Sequence, residues 1–146
     1  MPSSVRTGGI GFEDPRMTHA IGSRRWAIAD GYIPSSSASD DHALVSPALV
    51  SHESACILNT GDVPAKVEIT LFFSDREPAG PYRLTVAACR TVHLRFNDLD
   101  DPERVPRDTP YASLIESDTP IVVQQTRLDS RQPPHALLST IAYCQE

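Results

Sequence analysis

The chain has 146 residues, of which 40% are apolar and 22% charged, enough for one domain with its own core. Thirteen prolines against seven glycines leave little room for long helices, and no apolar run approaches the ~20 residues of a membrane span. The net charge of -6 argues against nonspecific nucleic-acid binding, and of 13 basic residues only Lys66 is a lysine.

Residues 1–23 show no periodicity and carry Gly8, Gly9, Gly11 and Pro15. They read as a flexible, dispensable N-terminal arm, with Met17 an alternative start, and residues 24–146 read as one domain. No apolar leader opens the chain, and Cys56, Cys89 and Cys144 are odd in number without a CxxC spacing. Reduced cysteines packed as small hydrophobes and a cytoplasmic location are expected.

From Arg25 the pattern has period two, which predicts strands. Trp26 and Ile28 alternate with Ala27 and Ala29 before Asp30-Gly31 turns the chain. Pro34 to Asp41 is loop-like. A short apolar strand, Ser54 to Leu58, stops at Asn59-Thr60-Gly61-Asp62. Residues 66–96 then read as three alternating segments, expected to form an antiparallel meander that buries Val67, Ile69, Leu71, Leu84, Val92 and Leu94. An acidic, proline-rich stretch from Asn97 to Pro110 follows. Ala112–Glu116 is a short strand or turn, Pro120–Leu128 a central strand, and Leu137 to Tyr143 the last strand. The expected fold is all-β, an antiparallel β-sandwich of about seven or eight short strands.

No P-loop, dinucleotide-binding fingerprint, HExxH or GxSxG occurs. Four polar clusters remain: Ser51-His52-Glu53, Ser74-Asp75-Arg76-Glu77, His93 to Asp98, and Gln124 to Arg131. Strand parity puts His93 with Arg95 and Gln125 with Arg127. If these faces meet, imidazole, amide and guanidinium groups converge on a surface suited to hydroxylated or anionic ligands. The plainer alternatives are a solvated loop for Asp75-Arg76-Glu77, a turn cap for Asn97-Asp98 and an Arg127–Asp129 ion pair. His52, Glu53 and His93 are chemically acceptable metal ligands, but their spacing supports no metal site.

These clusters lie in blocks that resemble the soluble sensory rhodopsin transducers: Trp26 to Pro34, Ser51-His52-Glu53, Ser74 to Arg83, His93 to Leu99, Ile115 to Asp118, Pro120 to Gln124, Thr126 to Arg131 and Ala136 to Tyr143. The resemblance covers roughly residues 24–143. It implies a small β-sandwich, a homotetramer and a signalling role downstream of a membrane sensory receptor, without membrane insertion. It also implies association with DNA and a sugar-like ligand site.

The reading is therefore a non-enzymatic cytoplasmic signalling or binding module with no cofactor and no metal. The candidate ligand site is His52, Glu53, His93, Arg95, Asn97, Gln125 and Arg127. The alternatives are a small polar-ligand binder, an enzyme using His52 and His93, and a DNA-binding regulator.

Overall fold

The computed structural model describes residues 20–35, 50–131 and 136–145. The N-terminal arm up to residue 19 and most of the serine-rich loop lie outside the described residues. Among the described residues eight antiparallel strands make an all-β sandwich: β1 (Ser23–Gly31), β2 (His52–Asn59), β3 (Ala65–Phe72), β4 (Ala79–Val86), β5 (Arg90–Arg95), β6 (Tyr111–Asp129), β7 (Ala136–Ile141) and β8 (Tyr143–Gln145). A 3-10 turn, Phe96–Asp98, follows β5.

The first sheet has the order β4-β3-β6-β1-β8, and the second runs β5-β2-β6-β7. β6 belongs to both, which explains its length of 19 residues. Its first half pairs with β3 and β1, from Tyr111 to Ser117. Its second half pairs with β2 and β7, from Val122 to Asp129. The expected short strands 112–116 and 120–128 are thus one strand. Residues 118–120 carry no ladder pair, so Pro120, which has no N–H, sits where none is needed.

The expected meander over 66–96 does not form. β3 and β4 make the predicted hairpin, but β5 crosses to the second sheet and pairs with β2. Asn59 accounts for the crossing. It is fully buried, and its side-chain amide donates to the carbonyls of Val63, Val86 and Ala87 at 2.8–3.2 Å. Cys89, at φ 53°, donates its N–H to Gly61 at 3.0 Å. The turn after β4 is therefore fastened to the β2–β3 turn. Val67, Ile69 and Leu71 are buried as expected, whereas Leu84, Val92 and Leu94 are only half-buried against the core.

The last predicted strand is also divided. Ala142 is buried and donates its N–H to Val123 at 3.1 Å, and there the chain passes from β7 in the second sheet to β8 in the first. Alternating side chains from both sheets, including Ile57, Ile69, Ile115, Ile121 and Val123, build one core.

Candidate functional site

Glu53 is an acid on the inner face of β2, a residue type rarely buried unless paired, yet it is 1% exposed. Alternation puts it there: Glu53, Ala55 and Ile57 share the inward face. Arg127 and Gln125 stand opposite on β6, where Glu53 pairs with Arg127 and Ala55 with Gln125. Arg127 donates Nε to Glu53 Oε1 at 2.7 Å, Nη2 to the Asp30 carbonyl at 3.0 Å and Nη1 to the Asp30 carboxylate at 3.2 Å. Gln125 donates to the Asp30 carbonyl at 2.7 Å and to Glu53 Oε2 at 3.3 Å. Glu53 also accepts the Tyr32 N–H at 2.9 Å. Burial alone would lower the Arg127 pKa, but the bonds to Asp30 and Glu53 outweigh it and the guanidinium is held charged.

Asn97 extends this network on the other side. It accepts the Glu53 N–H at 3.2 Å and donates to the Ser51 carbonyl at 3.0 Å. Ser51 in turn accepts the Ser130 N–H at 3.0 Å, within 3.1 Å of that residue's hydroxyl. Asn97 therefore does more than cap a turn. The end of β1, the start of β2, the 3-10 turn and the end of β6 thus meet around Glu53, the turn through its backbone N–H and β6 through its carboxylate.

A more exposed rim adjoins it. Asp108 accepts the Ser35 N–H at 3.0 Å and the Tyr32 hydroxyl at 3.3 Å, and its own N–H donates to Ile33 at 2.9 Å. The Ser35 bonds and the Tyr32 bond hold the Asp108 carboxyl below its usual range, against a small opposing effect of burial. The Arg131 guanidinium lies 5.6 Å from the Tyr32 ring centroid and bonds Asp129. The expected Arg127–Asp129 pair is thus replaced by Arg127–Glu53–Asp30 and Arg131–Asp129 pairs. Beneath the network Tyr111 is 5% exposed, and its hydroxyl has no hydrogen-bond partner among the described residues. Burial, reinforced by Glu53, drives its pKa upward.

Of the seven predicted site residues, Glu53, Asn97, Gln125 and Arg127 come together. The other three do not join them. Arg95 and His93 pair with Ser54 and Cys56, the alternate residues of β2, so they stand on the outer face of the second sheet. His52 shares that parity, and its Nδ1 lies 2.8 Å from the Val50 carbonyl. Within one chain the seven residues divide between the two faces of the second sheet, because strand parity links residues within a strand but does not say which face the next strand presents. Asp30, Tyr32, Asp108 and Tyr111 were not among the predicted residues. Asp30 and Tyr32 lie in a block carrying the resemblance, but backbone carbonyl and N–H groups supply much of their contribution, and no side-chain pattern marks those. Among the described residues no three His, Cys, Asp or Glu side chains are grouped to hold a metal ion.

The family model of the Anabaena sensory rhodopsin transducer matches residues 21–144. The chain belongs to that family. A solved structure of the Anabaena sensory rhodopsin transducer is 52% identical and superposes with a TM-score of 0.62, covering 75% of this chain and all of that one. The crystal structure of Thermotoga maritima 1070 is 38% identical with a TM-score of 0.72, covering 86% of this chain and 97% of that one. No curated protein matches significantly. The transducer-family match takes in both sheets and every residue of the Glu53 network. No helix among the described residues is long and apolar enough to cross a membrane.

Proposed function

We propose that this transducer-family chain is a non-enzymatic cytoplasmic signalling module that relays the state of a membrane sensory receptor or of a small hydroxylated ligand through the Glu53 network. The observation that carries the reading is the meeting of three strands and a turn around one buried residue, Glu53, whose carboxylate is paired with Arg127. A ligand or partner touching the rim at Asp30, Tyr32 or Asp108 shifts groups bonded directly to Glu53 and Arg127. The unpartnered Tyr111 hydroxyl adds an unused polar atom beneath the same rim. Sugar-like ligands suit this chemistry, because carboxylates, amides and guanidinium groups all bond hydroxyls.

The module acts as a homotetramer in this reading. Support comes from the outer face of the second sheet, where no Asp or Glu has outward parity. Leu137, Ile141 and Tyr143 on the adjoining edge strands are 70%, 61% and 73% exposed. Depletion of charge with exposed large apolar groups marks the centre of protein interfaces.

A thermal-shift screen of neutral monosaccharides and polyols tests the ligand arm. A ligand at 100 times its Kd should stabilise by about 2.7 kcal/mol, and Arg127→Lys should abolish the response because the guanidinium fork is lost. No response from any compound, together with no binding to a membrane sensory rhodopsin, would overturn the relay reading. Light scattering should give a mass near four chains, and a stable 16.0 kDa species would overturn the tetramer.

A further inference from the structure

Among the described residues four strands end the two sheets: β4 and β8 in the first, β5 and β7 in the second. An open edge presents unpaired N–H and C=O groups to any other extended chain, and proteins normally blunt it with charge, proline, brevity or a bulge. Three of these edges are blunted. β4 carries Pro81 and Arg83, β8 is three residues long, and β5 carries Arg90, His93 and Arg95. β7 has none of these devices. Its residues, Ala136-Leu137-Leu138-Ser139-Thr140-Ile141, include no charge and no proline, and they pair with β6 in unbroken register. Among the described residues no backbone–backbone hydrogen bond reaches its other edge.

The side chains of this edge are apolar on both faces. Leu137 and Ile141 have the parity of the outer face, Leu138 stands opposite Arg127 with the inner parity, and all three are exposed. Neutrality and order select the occupant. A strand that meets its own copy about a two-fold axis is set against itself in reverse, so residue i faces j and j faces i. Like charges directly opposite are destabilising, and β7 brings none. With Ser139 at the axis, Leu137 faces Ile141 of the partner subunit and Leu138 faces the partner's Thr140. The same arrangement of β5 would set Arg90 against the partner's Arg95.

We propose that β7 is a self-pairing edge, which joins β7 of a second copy antiparallel about a two-fold axis at Ser139. Main-chain hydrogen bonds hold the junction, and the exposed Leu137, Leu138 and Ile141 are covered by it. The second sheets of two copies, each running β5-β2-β6-β7, become one continuous sheet. The proposal rests on the oligomeric reading above and names the edge that makes it. The junction also brings the two polar networks into line. Glu53, Arg127 and Leu138 lie in one cross-strand row, and Ala55, Gln125 and Thr140 in another. At the axis the first row of one copy runs into the second row of the other. Arg127 then stands three strand spacings, about 14 Å, from Gln125 of the partner subunit.

Light scattering on the intact chain tests the proposal. Ser139→Lys sets two like charges face to face at the axis, so the mass of the assembly should fall at least about twofold while the circular dichroism of the fold is kept. Leu137→Glu and Ile141→Lys should each lower the mass when made singly. Combined in one chain they place Glu opposite Lys twice, and the wild-type mass should return. An unchanged mass in Ser139→Lys, or a double variant no larger than the single ones, would overturn the proposal. A mixture of 13C-labelled and unlabelled wild-type chains reads the junction without any substitution. Inter-chain NOEs are expected between Leu138 and Thr140, and their absence from a multimeric sample would overturn it as well. A wild-type chain that stays at 16.0 kDa would overturn both the junction and the tetramer. A four-chain wild type whose mass survives Ser139→Lys would overturn the junction alone.

Discussion

Two arginine–carboxylate systems on this molecule use the same chemistry in opposite surroundings. One is the Arg127–Glu53–Asp30 network, in which the Arg127 side chain is 19% exposed and Glu53 1%. The other is a cross-strand row on the outer face of the first sheet, Arg83–Glu68–Glu116–Arg25, in register across β4, β3, β6 and β1. Its pairs stand at 2.8 Å for Arg83–Glu68 and 3.3 Å for Arg25–Glu116, with every side chain 46–70% exposed. The distances are alike and the energetics are not. Water already solvates each charge in the outer row, so pairing there contributes little. Glu53 has no water to fall back on, so its partners decide whether it can stay charged and buried.

The largest expected effect follows from that difference. Arg127→Ala should destabilise by about 3–5 kcal/mol, because it leaves a buried carboxylate unpaired, and urea unfolding measures it. A loss under about 1 kcal/mol would place Arg127 in the same class as the outer row. Gly31→Ala comes next. A Cβ there would sit 2.5 Å from the Tyr111 ring, so the ring must move beneath the network. A cost of about 1–3 kcal/mol is expected, with perturbed Tyr111 ring resonances as the local readout.

Acid titration sharpens the comparison at the rim. The Asp108 and Asp129 pKa values are lowered from 3.8, the first by Ser35 and the second by Arg131. Folded values below unfolded ones mean that these groups contribute stability above about pH 4, and that it is lost as pH falls through the folded pKa. Asp108→Asn should therefore flatten the acid limb of stability below about pH 4 and leave the neutral-to-alkaline limb unchanged. An unaltered acid limb would remove Asp108 from the account. The smallest effects belong to the outer row: Arg83→Ala and Arg25→Ala should each cost under about 1 kcal/mol. Glu116→Gln should be neutral or slightly stabilising, since Glu68 and Glu116 are like charges directly opposite each other. A double-mutant cycle on Glu53 and Arg127 should give a coupling well above that of Glu68 and Arg83.

Period-two alternation was enough to read which side of a strand faces the core. Val67, Ile69 and Leu71 against Lys66 and Glu68 is a local pattern, and the structure buries the apolar set. The polar blocks of the candidate site were legible for a related reason. Glu53, Gln125 and Arg127 are polar residues with inward parity, and a buried polar group must find partners. The family itself was also legible, since its blocks recur over most of the chain.

Which strands become neighbours was decided only by the tertiary structure. The pattern of β5 fits a place beside β4 as well as beside β2, and the choice rests on Asn59 gathering three carbonyls from two turns. Pro120 reads locally as a break, but β6 passes through it because the ladder changes partners there. His93 and Arg95 went to the outer face because β5 joined β2 in a register that sets them opposite Cys56 and Ser54 rather than Glu53. Alternation is a property of one strand and survives in any neighbourhood. Register and sheet membership depend on hydrogen bonds between residues far apart in the chain, as in Gln125 to Asp30 across 95 positions, and a local pattern carries no record of them.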